Sequence, residues 1–271
     1  MFYLDGVQTT DHAFQNNAFL YGDAVKTHFF VRDSHLILAE ECYFFLMASM
    51  RKMRMNIPLS FTLEFFTELF NKAISENNFK NGIIEFLAFR NREENFGTRT
   101  PVHYYFELKN VEDVLSVRAN IEIDIIKEIS VNTNVLSNIR VHSPENIYAS
   151  IYAKENDLDD VILLNPEKRI ARTVSGNLLL LEENAIKISK QSEGAYISPL
   201  MENFVTFVFK NNLATIEEAE LSAFETQKAE EVLMISDEKG IFSVAKIRNK
   251  AFENNRLTAM IEAWRNGFSQ S

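Results

Sequence analysis

The sequence predicts an α+β fold with mostly antiparallel sheets, and three observations point there. Strand-like and helix-like stretches mix without the strict βαβ alternation of a parallel sheet. Gly and Pro are scarce, 8 and 5 in 271 residues, so most of the chain belongs in regular elements. Neither a Gly-x-Gly-x-x-Gly nor a Walker A sequence occurs, which removes support for nucleotide-binding α/β folds.

Residues 2–4 read as a short strand, and Asp5-Gly6 as a turn that accepts positive φ. Residues 19–21 and 26–31 read as strands around Gly22-Asp23. Asp33-Ser34 makes the next turn and residues 35–38 the returning strand. Residues 39–55 are strongly helical and end at Asn56-Ile57-Pro58. Their apolar residues cover most faces, so the helix should be largely buried. Ser60 opens a second helix, with Phe61, Phe65, Leu69 and Ala73 on one face. Residues 82–90 and 102–108 are strands rich in Ile, Phe and Tyr, joined by the polar stretch 91–101.

The polar, acidic stretch 110–119 is the candidate domain boundary. Beyond it, strands are expected at 121–126, 161–164, 170–173, 178–181, 232–236 and 240–247. Helices are expected at 144–155, 199–211 and 251–266, and a short one within 218–229. Pro144 and Pro199 each suit a first helical turn.

Composition narrows the function classes. The net charge of −10 disfavours a nucleic-acid partner, and the short run Arg51-Lys52-Met53-Arg54 reads as a solvated helix end. The single cysteine, Cys42, lies in an apolar run and reads as a buried small hydrophobe; no intrachain disulfide is available. There is no signal-peptide pattern and no apolar run long enough to span a membrane, so a cytoplasmic protein is expected. Five histidines (His12, His28, His35, His103, His142) show no metal-ligand spacing, and no metal site is expected. Ser175-Gly176 lacks the residues of a nucleophile elbow.

Several segments, taken in order, resemble the class IV aminotransferases, the fold-type IV pyridoxal phosphate enzymes. They are Leu4-Asp5-Gly6, Tyr21-Gly22-Asp23, the 136–148 segment with its Leu136-Ser137, Ser175-Gly176-Asn177-Leu178, Ile197-Ser198-Pro199, the 229–233 run and the 240–244 run. Branched-chain and D-amino acid aminotransferases and 4-amino-4-deoxychorismate lyase belong to that family. The resemblance implies two domains, a sandwich-like one at 1–115 and a barrel-like one at 116–271. It also implies pyridoxal phosphate as cofactor and a homodimer.

The departures matter more. Where the family's lysine holds the cofactor as an imine, this chain has Arg140. A guanidinium stays protonated and has no free lone pair for that work. His142 and Ser143 fall nearby, but no lysine lies between Lys127 and Lys154, and Lys127 reads as a surface residue. Arg172 stands where a glutamate would pair with the pyridine nitrogen, which weakens the ring as an electron sink. Phe45 replaces an arginine that grips the phosphate. Thr206 matches a phosphate-binding threonine, but Phe207 replaces the arginine after it, and Lys26-Thr27 replaces a Phe-Glu pair.

These departures imply a family member without Schiff-base chemistry, with no catalytic residue assigned. By resemblance Arg140, Arg172 and Thr206 line the former cofactor cleft. Arg140 and Arg172 facing one cleft would suit an anionic small molecule between them. The competing expectation is that both arginines pair with nearby carboxylates and that Phe and Met fill the cleft. Two alternatives stay open: an active aminotransferase or lyase using a lysine from elsewhere, and a non-catalytic subunit that pairs with itself or an active paralogue.

Overall fold

One strand, residues 24–32, organises the first half and later receives a short strand from the second. The computed structural model describes residues 2–4, 7–9, 16–91 and 100–268. Strands β1 (Phe2–Leu4) and β2 (Val7–Thr9) pair antiparallel. The expected Asp5-Gly6 turn, and residues 92–99 of the expected connection, lie outside the described residues.

Helix α1 (Asn17–Tyr21) replaces the strand expected at 19–21. The Asn16 side chain accepts the Phe19 N–H at 2.9 Å and starts the turn. Gly22 ends it at φ 66°, a left-handed value that suits glycine. Strand β3 (Ala24–Arg32) then pairs antiparallel with β4 (His35–Ile37) and with β5 (Gly82–Arg90), and β5 pairs with β6 (Val102–Asn110).

Helices α2 (Ala39–Lys52) and α3 (Leu63–Glu76) belong to this half. Thr62, not Ser60, caps α3, accepting the Phe65 N–H at 3.2 Å. The buried face is Phe66, Phe70 and Ile74, one position on from the face expected. The sheet decides this: Phe70 lies 4.7 Å from Phe29, and Phe66 lies 5.3 Å from Phe86, ring centre to ring centre. Cys42 is fully buried, as expected.

The second half holds β7 (Val117–Ser130), β8 (Arg140–Val141), α4 (Pro144–Glu155), β9 (Asp160–Leu164), β10 (Ile170–Thr173), β11 (Asn177–Glu182) and β12 (Ala185–Ser189). It continues with α5 (Pro199–Lys210), β13 (Thr215–Ala219), α6 (Glu225–Lys228), β14 (Glu231–Ser236), β15 (Gly240–Ile247), β16 (Lys250–Ala251) and α7 (Arg256–Gly267). The sheet runs β10-β9-β7-β15-β14-β11-β12-β13, with β16 on β15. Pairs β7–β9, β7–β15 and β12–β13 are parallel and the others antiparallel.

The short helix expected within 218–229 is α6, and the residues before it end β13, because Ile216 pairs beside Ile186 along β12. Strand pairing there overrides the helix preference of Glu-Glu-Ala. Helix α7 starts at Arg256, not 251, since Lys250 and Ala251 extend to pair with β15. The buried Glu231 carboxylate then accepts the N–H groups of Arg256 (2.9 Å) and Leu257 (2.8 Å).

The connection at 111–116 is packed rather than loose, with Val114 and Leu115 fully buried. One apolar cluster joins Phe29, Phe66 and Phe86 of the first half to Leu179, Phe204 and Trp264 of the second. Strand β8 pairs with β3, setting Arg140 opposite Lys26 and Val141 opposite Val25. No helix among the described residues is long and apolar enough to cross a membrane.

Candidate ligand-binding cleft

The β3–β8 ladder places two cations, Lys26 and Arg140, side by side. Like charges at opposed strand positions repel, so each needs a carboxylate. Glu85 on β5 lies 3.2 Å from Lys26 and 2.9 Å from Lys109. Glu238, in the β14–β15 turn, lies 3.4 Å from Arg140. The Arg140 guanidinium also donates to the Ser175 carbonyl at 2.5 Å.

His28 shares a strand face with Lys26 and sits directly across from Glu85, whose carboxylate is 3.5 Å from its Nε2. Burial pushes the imidazole pKa down; Glu85 opposes this and Arg140 adds to it. Burial would raise the Glu85 pKa, but His28, Lys109 and Lys26 together hold it far below the usual range. For Glu238 burial again raises, and Arg140, His28 and Lys26 overcome it, so its pKa is lowered.

The N-terminus of α5 lies beside this cluster and carries an anion of its own. Asp237 is 2% exposed and accepts from Ser198 Oγ (2.7 Å) and Leu200 N–H (3.3 Å). A helix N-terminus attracts negative charge, and here a side chain supplies it. Burial raises the Asp237 pKa against the pull of Arg140, Ser198 and His28.

Tyr196 is the residue that sequence reasoning missed. It is 3% exposed, and the guanidinium carbons of Arg140 and Arg172 lie 4.2 and 4.3 Å from its ring centre. The Asn177 side chain clamps its backbone, donating to the Tyr196 carbonyl at 2.8 Å and accepting its N–H at 3.0 Å. Asn146 of α4 donates to the phenol oxygen at 2.8 Å and accepts from Arg172 at 3.1 Å. Burial raises the phenol pKa, yet Arg172 and Arg140 outweigh it and the net shift is downward. The Ser175-Gly176-Asn177 segment was the available signal, because Asn177 holds the tyrosine.

Two cavities adjoin this stack. The larger, about 450 Å3, is walled by Lys26, Arg140, Lys239, Glu238 and apolar residues including Leu87 and Val174. The smaller, about 260 Å3, is walled by Arg172, Asn132, Asn134, Ser137 and the start of α4. Both share Val141, His142, Ser143 and Tyr196. An aromatic ring contacts both arginines and offsets part of their charge. The expected pairing of both arginines with carboxylates holds for Arg140 and not for Arg172, whose side-chain partners are neutral.

Thr206 is not brought to either cavity. It lies on α5, on the walls of two others, one beside Trp264 and Phe268 and one beneath Tyr196. Phe45 is buried on α2 and lines neither cavity. Lys127 is exposed on β7, as expected. Among the described residues no cluster of His, Cys, Asp and Glu suits a metal ion.

A mixed fold of helices and strands is what the comparisons with known proteins also give. The family model for amino-transferase class IV matches residues 27–247, and the chain belongs to that family. Its structure is similar to the branched-chain aminotransferase of Thermoproteus uzoniensis (TM-score 0.85, 14% identity, 97% of this chain and 93% of that one). It is similar to the 4-amino-4-deoxychorismate lyase of Pseudomonas aeruginosa (TM-score 0.79, 13% identity, 97% of each chain). The Escherichia coli branched-chain amino acid aminotransferase is a third (TM-score 0.81, 16% identity, 95% of this chain and 89% of that one). These likenesses establish the fold-type IV architecture. No curated protein sequence matches the chain.

Proposed function

We propose that the cleft binds a small anionic molecule reversibly and forms no imine at residue 140. The observation that carries this reading is the larger cavity, where Lys26, Arg140 and Lys239 face one carboxylate, Glu238. Arg140 is 8% exposed and its Nε has no partner, so a donor remains for a ligand oxygen.

The family implies pyridoxal phosphate, and the residues present do not suit its usual covalent hold. Arg140 offers no amine. The α5 N-terminus, a ready phosphate site in physical terms, is bonded to Asp237. Lys26 and Lys239 do reach the cavity wall, and this favours the active-enzyme alternative at a relocated lysine.

Calorimetry with inorganic phosphate and pyridoxal phosphate, followed by borohydride reduction and peptide mass spectrometry, separates the two. We expect reversible binding, no reduced adduct, and a Kd raised at least about tenfold by Arg140→Gln, as for loss of one charge-assisted hydrogen bond. An adduct on Lys26 or Lys239 would move the protein to the Schiff-base enzymes.

A dimerising role draws support from α4. Ile147, Tyr148 and Ile151 are 54%, 48% and 52% exposed on one helix whose Ile147 also borders the larger cavity. Light scattering that gives the monomer mass at micromolar concentration would remove this reading.

A further inference from the structure

We infer that the ligand of this cleft carries two acidic groups, the second a carboxylate seated over Arg172 in the smaller cavity, a conclusion that rests on reading the larger cavity as an anion site. Arg172 is 4% exposed, and among the described residues no carboxylate lies within ion-pair distance of it. Its Nη1 donates to the Gly194 carbonyl (3.3 Å) and its Nη2 to Asn146 Oδ1 (3.1 Å), both neutral acceptors. Its Nε has no partner. A buried cation without a counter-charge is costly, so the arrangement points to a ligand that supplies one. Tyr196 offsets part of the charge through its ring face, not through a full negative charge.

The surroundings narrow the ligand. Asn132, Asn134, Ser137 and Ser143 give the smaller cavity neutral hydrogen-bonding walls. The first turn of α4, a 12-residue helix, opens on the same space, and its dipole favours negative charge. Glu145 is on the wall too, bonded to Ser143 Oγ at 3.0 Å. That carboxylate repels a doubly charged phosphate more than a singly charged carboxylate, so a carboxylate is the better fit. The two cavities share His142, Ser143 and Tyr196, so one short molecule reaches Arg140 at one end and Arg172 at the other.

The test is calorimetry on the full chain with chain-matched acids: succinate, glutarate and adipate against butyrate, valerate and hexanoate. At least one diacid should bind at least about tenfold more tightly than its monoacid, the usual worth of one charge-assisted contact. Arg172→Gln should erase that advantage, so that each diacid binds that variant no more tightly than its chain-matched monoacid. If Arg172→Gln does not fold, the wild-type comparison still decides, and Arg172→Lys should keep part of the diacid preference. Monoacids binding as well as diacids at every length would overturn this inference alone. So would a diacid advantage that survives Arg172→Gln. Binding of none of these acids, nor of phosphate, would overturn the anion reading of the whole cleft as well.

Discussion

Replacing Asp160 with alanine lowers the stability of the protein by about 4 kcal/mol, because the Ser175 N–H and hydroxyl of one buried turn lose their carboxylate acceptor. Asp160 is 3% exposed at the start of β9. Its carboxylate accepts the N–H groups of Val174 (2.9 Å) and Ser175 (3.2 Å), and the Ser175 hydroxyl. The turn they belong to also presents the Ser175 carbonyl, which accepts from Arg140 and, at 2.6 Å, from Ser236. Anion binding should therefore weaken together with stability. Asp160→Asn keeps one acceptor oxygen and should lose about half as much. Urea unfolding measures both, and a loss below about 1 kcal/mol for the alanine variant would contradict this role.

Phe66→Ala should cost a similar amount, about 4 kcal/mol, for a different reason. Phe66 is 1% exposed, and its ring lies within 5.9 Å, centre to centre, of Phe61, Phe65, Phe70 and Phe86. Truncation leaves a void among rings that cannot all collapse into it. Phe66→Leu refills most of that space and should lose about 1.5 kcal/mol. Helix α3 lines neither cavity of the cleft, so the folded fraction should bind phosphate as the wild type does. A change in Kd at full folding would show that the aromatic core reaches the site.

The contrast between these two residues follows what the sequence allows to be read. Phe66 belongs to an apolar four-residue repeat, and such repeats announce a helix face, even though the face turned out one position from Phe65. The pattern cannot say which of two adjacent stripes meets the sheet, because that depends on Phe29 and Phe86, far away in the chain. Arg140 and Arg172 could be singled out together from the sequence, and both guanidiniums lie against Tyr196. Tyr196 itself could not, because its place depends on a clamp from Asn177 and on α4 supplying Asn146. Thr206 lines other cavities than the two beside the arginines, since a matching residue type on a helix fixes neither the turn it sits on nor the cavity it meets. Strand β13 was missed since its Glu-Glu-Ala has no strand signature; a parallel neighbour imposes the extended form.

The pairing of β8 with β3 has a consequence for how the chain comes off the ribosome. Along one edge, β3 is covered by β4 at residues 30–32 and by β8 at residues 25–26. A nascent chain ending before residue 140 therefore carries a bare sheet edge next to apolar Phe29 and Phe30. Such edges recruit strands from other chains. Until translation delivers Arg140 and Val141, residues 25 and 26 of that edge stay open to pairing with another strand.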